Sequence, residues 1–186
     1  MEIHSLGIPG LMSIIPNISN NDIWSIQDIY NEEDFAKAGL PTRWVEDINI
    51  VSRARVLRGM YWQKSPYTQD KLIRIISGEA INYFVDIRLG SPDFGKYKGV
   101  YLHDKIAQII FVPKGFAHGY LTMTDNTRIE CMVSAPYNKK AQRAFAWNDP
   151  TVNIRWGIIP ILSCEDANRP ELRDIPTEDF IRYKDL

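Results

Sequence analysis

The chain has 186 residues, and its 22 lysines and arginines against 23 aspartates and glutamates give a net charge of −1. This length fits one domain, 1–186, that is large enough to bury a hydrophobic core. The balanced charge provides no field that would draw the protein to nucleic acid or to an anionic membrane, and no apolar run approaches a membrane span.

The cysteines and the N-terminus bear on the cellular compartment. Cys131 and Cys164 have neither a metal-ligand spacing nor the pattern of a disulfide framework. Residues 1–15 lack the basic start and the clean apolar stretch of a signal peptide. The sequence therefore predicts a cytoplasmic protein.

One short helix and a series of strands are predicted in chain order. Asn31 can cap a helix over NEEDFAKAGL, because acidic residues fill the first turn and Gly39 lies near the end. Segments with strand character then follow at 43–52, 54–62, 71–76, 79–88, 98–102, 107–112, 118–123 and 127–133. From Asp149 onward the sequence is proline-rich and irregular, with a short helix predicted near 177–183.

The alternation of side chains is clearest in segment 79–88. One face would carry Ile81, Tyr83, Val85 and Ile87, and the other Asn82, Phe84, Asp86 and Arg88. Many short strands with few helices predict an all-β protein, with a jelly roll, an antiparallel double sheet, as the first choice. Periodicity alone leaves another small barrel open.

Eight short motifs connect this sequence to a known family. They are VLRG at 56–59, Q-x-K-L at 69–72, GE at 78–79, VD-x-R at 85–88, SP-x-FGK at 91–96, PKGFAHG at 113–119, WNDP at 147–150 and LS-x-x-D at 162–166. In this order they resemble the dTDP-4-dehydrorhamnose 3,5-epimerase family, whose members epimerise nucleotide-linked 4-keto-6-deoxy sugars. The similarity runs from about residue 30 to residue 170.

The resemblance implies a cupin-type jelly roll that binds a nucleotide-diphosphate sugar without a metal or organic cofactor. It also implies a homodimer that exchanges strands between subunits. The N-terminal strands and dimer contacts would lie in 1–30, the jelly-roll core in 43–148, and a C-terminal loop with a short helix in 149–186.

The resemblance also assigns residues. The family has a histidine base oriented by an aspartate, a lysine that stabilises the enolate oxygen, and a tyrosine that returns the proton from the opposite face. In this chain these positions hold Tyr61, Asp166, Lys71 and Cys131, so that both proton-transfer residues differ. For substrate binding, Arg58, Gln69 and His118 match the family, whereas Glu46 stands where the family has an amide and Gln142 where it has a glutamate.

The substitutions change the expected chemistry. A free phenol has a pKa of about 10, and a neighbouring carboxylate raises it further. A protonated Tyr61 that donates a hydrogen bond to Asp166 is therefore the natural pair, which makes Tyr61 an acid or a binding group. Cys131 is interpreted first as a small buried hydrophobe and second as a thiol that exchanges protons.

Three functions remain open on these residues. The first is an epimerase or isomerase of a nucleotide-linked 4-keto-6-deoxy sugar in cell-surface polysaccharide or deoxysugar synthesis, which Arg58, Lys71 and His118 favour. The second is a homologue that binds the nucleotide sugar without catalysis, which Tyr61 and Cys131 favour. The third is a different keto-sugar reaction that needs one base and no opposing acid.

Overall fold

The structure, a computed structural model, describes residues 1–186 and consists mainly of strands. Its thirteen strands are β1 (Glu2–Ser5), β2 (Met12–Ile15), β3 (Asn17–Asn20), β4 (Ser25–Asp28), β5 (Glu46–Ser52), β6 (Leu57–Gln63), β7 (Lys71–Ser77), β8 (Glu79–Asp86), β9 (Tyr97–His103), β10 (Ile109–Val112), β11 (Phe116–Thr122), β12 (Thr127–Val133) and β13 (Gln142–Ala144). The helices are α1 (Glu32–Lys37) and α2 (Cys164–Ala167), and neither is long and apolar enough to cross a membrane.

Two antiparallel sheets form the body of the molecule. The six-stranded sheet has the order β1-β2-β10-β7-β12-β5, and the five-stranded sheet has the order β13-β6-β11-β8-β9. Strands β3 and β4 form a separate hairpin that pairs with neither sheet. The all-β class and the antiparallel double sheet predicted from the sequence are confirmed.

Helix α1 covers the outer face of the six-stranded sheet. The side chain of Asn31 accepts a hydrogen bond from the Asp34 backbone at 3.1 Å, as the capping pattern predicts. Phe35 is the buried residue of this helix and packs with Leu40, just after the helix, and with Leu72 of the sheet below. Burial of one large apolar side chain stabilises this contact by roughly 2 kcal/mol.

Strand β8 has the predicted alternation, yet both of its faces are buried. Tyr83 and Val85 face outward into a cluster that the C-terminal segment completes with Trp156 and Leu172. Phe84 faces inward, between the two sheets. The outer face is apolar because the C-terminal third of the chain covers it, which the alternation alone could not indicate.

The C-terminal third also contains the differences from the predicted elements. Strand β13 and helix α2 were not predicted, since each is only three or four residues long. The short helix predicted near 177–183 is present only as two single 3-10 turns. Short 3-10 turns lie at Thr177–Asp179 and Tyr183–Asp185, and the backbone between them is extended because Ile181 accepts a hydrogen bond from Leu89 at 2.9 Å.

A buried carboxylate fastens this segment to the five-stranded sheet. Asp179 is 4% exposed and accepts hydrogen bonds from Lys64 at 2.5 Å and from Arg143 at 2.6 Å. Its backbone carbonyl also accepts a bond from the Trp62 indole at 3.0 Å. Burial alone would raise the pKa of Asp179, but the hydrogen bonds from Arg143 and Lys64 outweigh burial and hold this pKa below its usual value.

We expect Asp179→Asn to lower the free energy of unfolding by about 2 kcal/mol at neutral pH, because it removes the charge that both cations bind. The folded-state pKa of Asp179 is depressed, so its contribution is present above the unfolded pKa of about 4 and is lost as pH falls through the folded value. The difference between variant and wild type should therefore shrink in acid.

Urea unfolding at pH 7 and at pH 3 measures both effects. Glu33→Gln is the control, since Glu33 pairs with Lys37 at 3.7 Å on an exposed helix surface and should contribute almost nothing. An Asp179→Asn variant as stable as Glu33→Gln at pH 7 would contradict the assignment.

Candidate active site

A cavity of about 390 Å³ lies between the two sheets. This volume suits a small-molecule site. One wall is the inner face of the five-stranded sheet, and the other is the inner face of the six-stranded sheet. Of the residues assigned by resemblance, those that line the cavity are Arg58, Tyr61, Gln69, Lys71, His118, Cys131 and Gln142.

The wall from the five-stranded sheet carries most of the polar side chains. Strand β6 contributes Arg58 and Tyr61, and strand β11 contributes His118 and Tyr120. Tyr61 and His118 are paired across the two antiparallel strands. Paired residues of neighbouring strands point to the same face, so the phenol and the imidazole lie side by side.

Two glycines permit this arrangement. A Cβ on Gly59 would lie 2.6 Å from the Cα of Gly119, and a Cβ on Gly119 would lie 2.5 Å from the sulfur of Met60. The register between β6 and β11 also shifts between His118 and Tyr120. The two backbones approach so closely here that only glycine fits, and the bulge sets the spacing of the polar side chains.

The opposite wall is aliphatic with two exceptions. Strands β5 and β12 contribute Ile48, Ile50, Ile129 and Val133. Lys71 from β7 and Cys131 from β12 are the exceptions, and their strands are neighbours in the sheet. An amine and a thiol thus face the polar wall from an otherwise apolar surface.

Tyr61 belongs to a closed hydrogen-bond network. Its hydroxyl donates to Asp166 at 2.5 Å, which is the bond predicted from the sequence. Asp166 is 2% exposed and is also bonded by the Ser163 hydroxyl at 2.8 Å. Arg169 donates to the Tyr61 oxygen at 3.1 Å, and its guanidinium lies 5.2 Å from the ring centroid. The phenol is therefore held on both its donor and its acceptor side.

The network keeps Tyr61 protonated. Burial raises the pKa of the Tyr61 phenol, and the hydrogen bond to Asp166 raises it further, while Arg169 lowers it in part. The net effect raises the pKa of Tyr61 above the ordinary, already high, value of a phenol. At neutral pH this phenol is a hydrogen-bonding group and does not act as a base.

Lys71 and Cys131 influence each other across their neighbouring strands. Burial lowers the pKa of the Lys71 ammonium, and the nearby Cys131 opposes this in part. Burial raises the pKa of the Cys131 thiol to about 11, although Lys71 acts in the opposite direction. Cys131 thus remains a thiol at neutral pH, and Lys71 becomes a readier proton and hydrogen-bond donor.

Of the other assigned residues, two line the cavity and two lie outside its lining. Gln69 donates to the carbonyl of Ala135 at 2.7 Å, and Gln142 accepts from the Tyr137 hydroxyl at 2.8 Å. Glu46 does not line the cavity. Its carboxylate accepts the Tyr137 backbone N–H at 3.3 Å. Asp166 lies behind Tyr61. These contacts hold the loop between β12 and β13 at the entrance.

Several residues of the site were not identified from the sequence. Tyr120 lies two residues after His118, and strand alternation could have placed it on the same face. Asn82 likewise follows the alternation of β8, and its side chain contacts His118. Arg169 gave no signal, because the turn that brings it to Tyr61 follows a helix of only four residues.

The fold and the site define a cupin-type double-sheet protein with a polar, cation-bearing pocket between its sheets. Residues 5–174 match the family described as dTDP-4-dehydrorhamnose 3,5-epimerase. The chain belongs to this family. Its relative from Shigella flexneri, named dTDP-4-dehydrorhamnose 3,5-epimerase, is 32% identical over 176 residues, which are 94% of this chain and 97% of the relative.

Solved structures agree in fold. A dTDP-6-deoxy-D-glucose-3,5-epimerase from Legionella pneumophila Philadelphia 1, in complex with dTDP-4-keto-L-rhamnose, has a TM-score of 0.93 and 31% identity over 98% of each chain. A 4-keto-6-deoxy sugar epimerase from the novobiocin biosynthetic gene cluster of Streptomyces spheroides has a TM-score of 0.92 and 28% identity, covering 99% of this chain and 94% of its own.

We expect Arg169→Gln to raise the pKa of the Tyr61 phenol further, because it removes the one hydrogen bond that opposes Asp166. NMR of protein labelled at the tyrosine Cζ carbon follows this titration, and Tyr61→Phe assigns the signal. Arg173→Gln is the control, since Arg173 pairs with Glu171 at 2.9 Å on the surface. A Tyr61 pKa that falls in Arg169→Gln would contradict the network.

Proposed function

We propose that this protein is an epimerase of a nucleotide-linked 4-keto-6-deoxy sugar, acting in deoxysugar or cell-surface polysaccharide synthesis. The observation that carries the proposal is the presence of Arg58 and Lys71 on opposite walls of one cavity. Arginine suits the diphosphate of a nucleotide sugar, and lysine suits the oxygen of a keto group. The family membership and the ligand of the Legionella structure support the same substrate class.

Epimerisation beside a ketone needs removal of a proton from one face and its return to the other. The carbon next to C4 loses its proton, and the electron pair moves so that O4 becomes an enolate oxygen. We assign the stabilisation of this oxygen to Lys71, whose lowered pKa makes it a better donor to a developing negative charge. We assign binding of the diphosphate to Arg58.

Cys131 fits the return of the proton. It lies on the wall opposite Tyr61 and His118, and with a pKa of about 11 it keeps its proton at neutral pH. The carbon of an enolate is far more basic than a thiolate, so a protonated thiol can replace a phenol as the donor. We therefore propose that the Cys131 thiol protonates the enolate from the aliphatic wall.

Tyr61 and Asp166 fit a different role in this scheme. The Tyr61 proton is committed to Asp166, and its oxygen already accepts from Arg169. We propose that the pair forms a rigid surface against which the sugar lies. Gln69, Gln142 and Glu46 then position the entrance loop and the nucleotide.

The same network favours a second candidate function. A Tyr61 that cannot act as a base is expected in a homologue that binds the nucleotide sugar without turning it over. Solvent exchange distinguishes the two, because a binding protein leaves the C3 and C5 hydrogens of the sugar in place.

We expect the protein to exchange hydrogen at C3, at C5 or at both when it is incubated with dTDP-4-keto-6-deoxy-D-glucose in deuterated water. Proton NMR measures the exchange and the new epimer. Lys71→Met should slow exchange by about 10²-fold or more, because it removes enolate stabilisation. Tight binding without exchange over hours would contradict an epimerase, and a 3-keto product would indicate the one-base keto-sugar reaction.

Cys131→Ala separates the two proton transfers. The proton is still removed and replaced from the first wall, so exchange should continue while epimer formation falls by about 10²-fold. Cys164→Ala, at an exposed free cysteine, is the matched control. Equal loss of exchange and of epimer in Cys131→Ala would show that this thiol is not the opposing acid.

We further propose a homodimer and a cytoplasmic location. The β3–β4 hairpin exposes Ile18, Trp24 and Ile26, the last at 60%, and pairs with no other strand of its own chain. An apolar hairpin of this kind suits a contact with a second copy. The two cysteines are free, which suits a reducing compartment.

The double variant Ile18→Ser/Ile26→Ser should weaken dimerisation by about 10²-fold, because two large apolar side chains leave the interface. Light scattering after size-exclusion chromatography measures the mass across a dilution series. Ile159→Ser is the control, since Ile159 is 81% exposed on a different loop. A wild-type protein that is monomeric at all concentrations would contradict the proposal.

A further inference from the structure

His118 lies at the centre of the polar wall. On β11 it is paired with Tyr61 on one side and with Phe84 on the other. Its ring stacks on Phe84 with centroids 5.0 Å apart and an interplanar angle of 12°. The imidazole is thus fixed in orientation by a buried aromatic ring and lies next to the position where the family has its basic histidine.

A hydrogen bond orients this ring. The Nε2 atom of His118 lies 3.0 Å from the Oδ1 atom of Asn82. In the tautomer in which this amide oxygen accepts from Nε2–H, the lone pair of the imidazole is on Nδ1. Nδ1 has no hydrogen-bond partner in the protein, and it does not belong to the fully buried, unpaired polar atoms. Because His118 lines the cavity, we infer that Nδ1 is accessible from there.

The groups that face His118 keep it neutral. Burial lowers the pKa of the imidazole well below its ordinary value, and the charges of Lys71 and Arg58 lower it further. Tyr61 and Cys131 are uncharged at neutral pH, and Asn82 carries no charge where a carboxylate would favour the imidazolium. The lone pair of Nδ1 is therefore available at any physiological pH.

We propose that His118 is the general base of this site, and that its Nδ1 removes the proton from the carbon beside the ketone. This inference rests on the proposed epimerase function and assigns its missing base. The C–H pair of electrons forms the enolate held by Lys71, and the proton passes to Nδ1. The Cys131 thiol protonates the opposite face, and solvent then carries a proton from the imidazolium to the thiolate.

Substrate binding strengthens this base. A diphosphate bound to Arg58 offsets one of the two cationic charges that disfavour the imidazolium, so the pKa of His118 rises towards a useful range in the complex. Asn82 acts as a positioning residue, because it determines which nitrogen carries the proton.

His118→Asn should slow deuterium exchange into dTDP-4-keto-6-deoxy-D-glucose by about 10³-fold, and the affinity for dTDP, measured by calorimetry, should change by less than tenfold. Tyr61→Phe should exchange at least tenfold faster than His118→Asn. His103→Asn, at the end of β9, should match the wild type.

A second measurement does not depend on turnover. Nitrogen-15 NMR of labelled histidine should show the His118 pKa rising when dTDP is added, and Asn82→Asp should raise it in the free protein. The acid limb of the kcat/KM profile should move upward in Asn82→Asp. A purely structural histidine would leave the acid limb of the kcat/KM profile of Asn82→Asp where it is in the wild type.

The outcomes separate the two claims. Exchange in the wild type that persists in His118→Asn, or a His118 pKa that ignores dTDP, overturns the base assignment and leaves the epimerase in place. No exchange in the wild type overturns the epimerase and the base assignment with it. Loss of exchange in His118→Asn with dTDP affinity kept supports both.

Discussion

Two sheets that pack face to face must fill the space between them, and this chain fills only part of it. Phe84, Ile73 and Ile75 close one region of the interior with apolar side chains. Next to this region, Lys71 on β7 and His118 on β11 line the cavity. The apolar side chains of the closed region hold the two sheets at a separation of about 10 Å, which is usual for packed sheets. The sheets therefore keep this separation beside the cavity, where no apolar side chains fill the space.

The lining of the cavity has more positive than negative charge. Arg58 and Lys71 bring two cationic groups into one cavity, while the Asp166 carboxylate is bonded by Tyr61 and Ser163 behind the wall. These two positive charges are not balanced by a negative charge within the lining. A dianionic diphosphate supplies it, so that ligand charge, and with it the protonation equilibrium of His118, is coupled to binding.

The sequence predicted the parts of the molecule that depend on local pattern. The Asn31 cap, the alternation of β8 and the wall positions of Arg58 and Lys71 all follow from spacing or from motifs. Glu46 was expected in the pocket but does not line it, and its carboxylate accepts the backbone N–H of Tyr137 instead. The bond from Arg169 to Tyr61 could not be predicted, because it joins residues 108 positions apart through a four-residue helix. Long-range contacts between short elements leave no periodic signal.

The tyrosine at position 61 is best understood together with its surroundings. A phenol in this place is a poor base, and here its hydroxyl donates a hydrogen bond to Asp166 while its oxygen accepts one from Arg169. In the proposed mechanism, the groups that transfer protons are its cross-strand neighbour, His118, and Cys131 on the opposite wall. We therefore propose that the two sides of the proton relay lie across the cavity, on a different pair of side chains of the same two sheets.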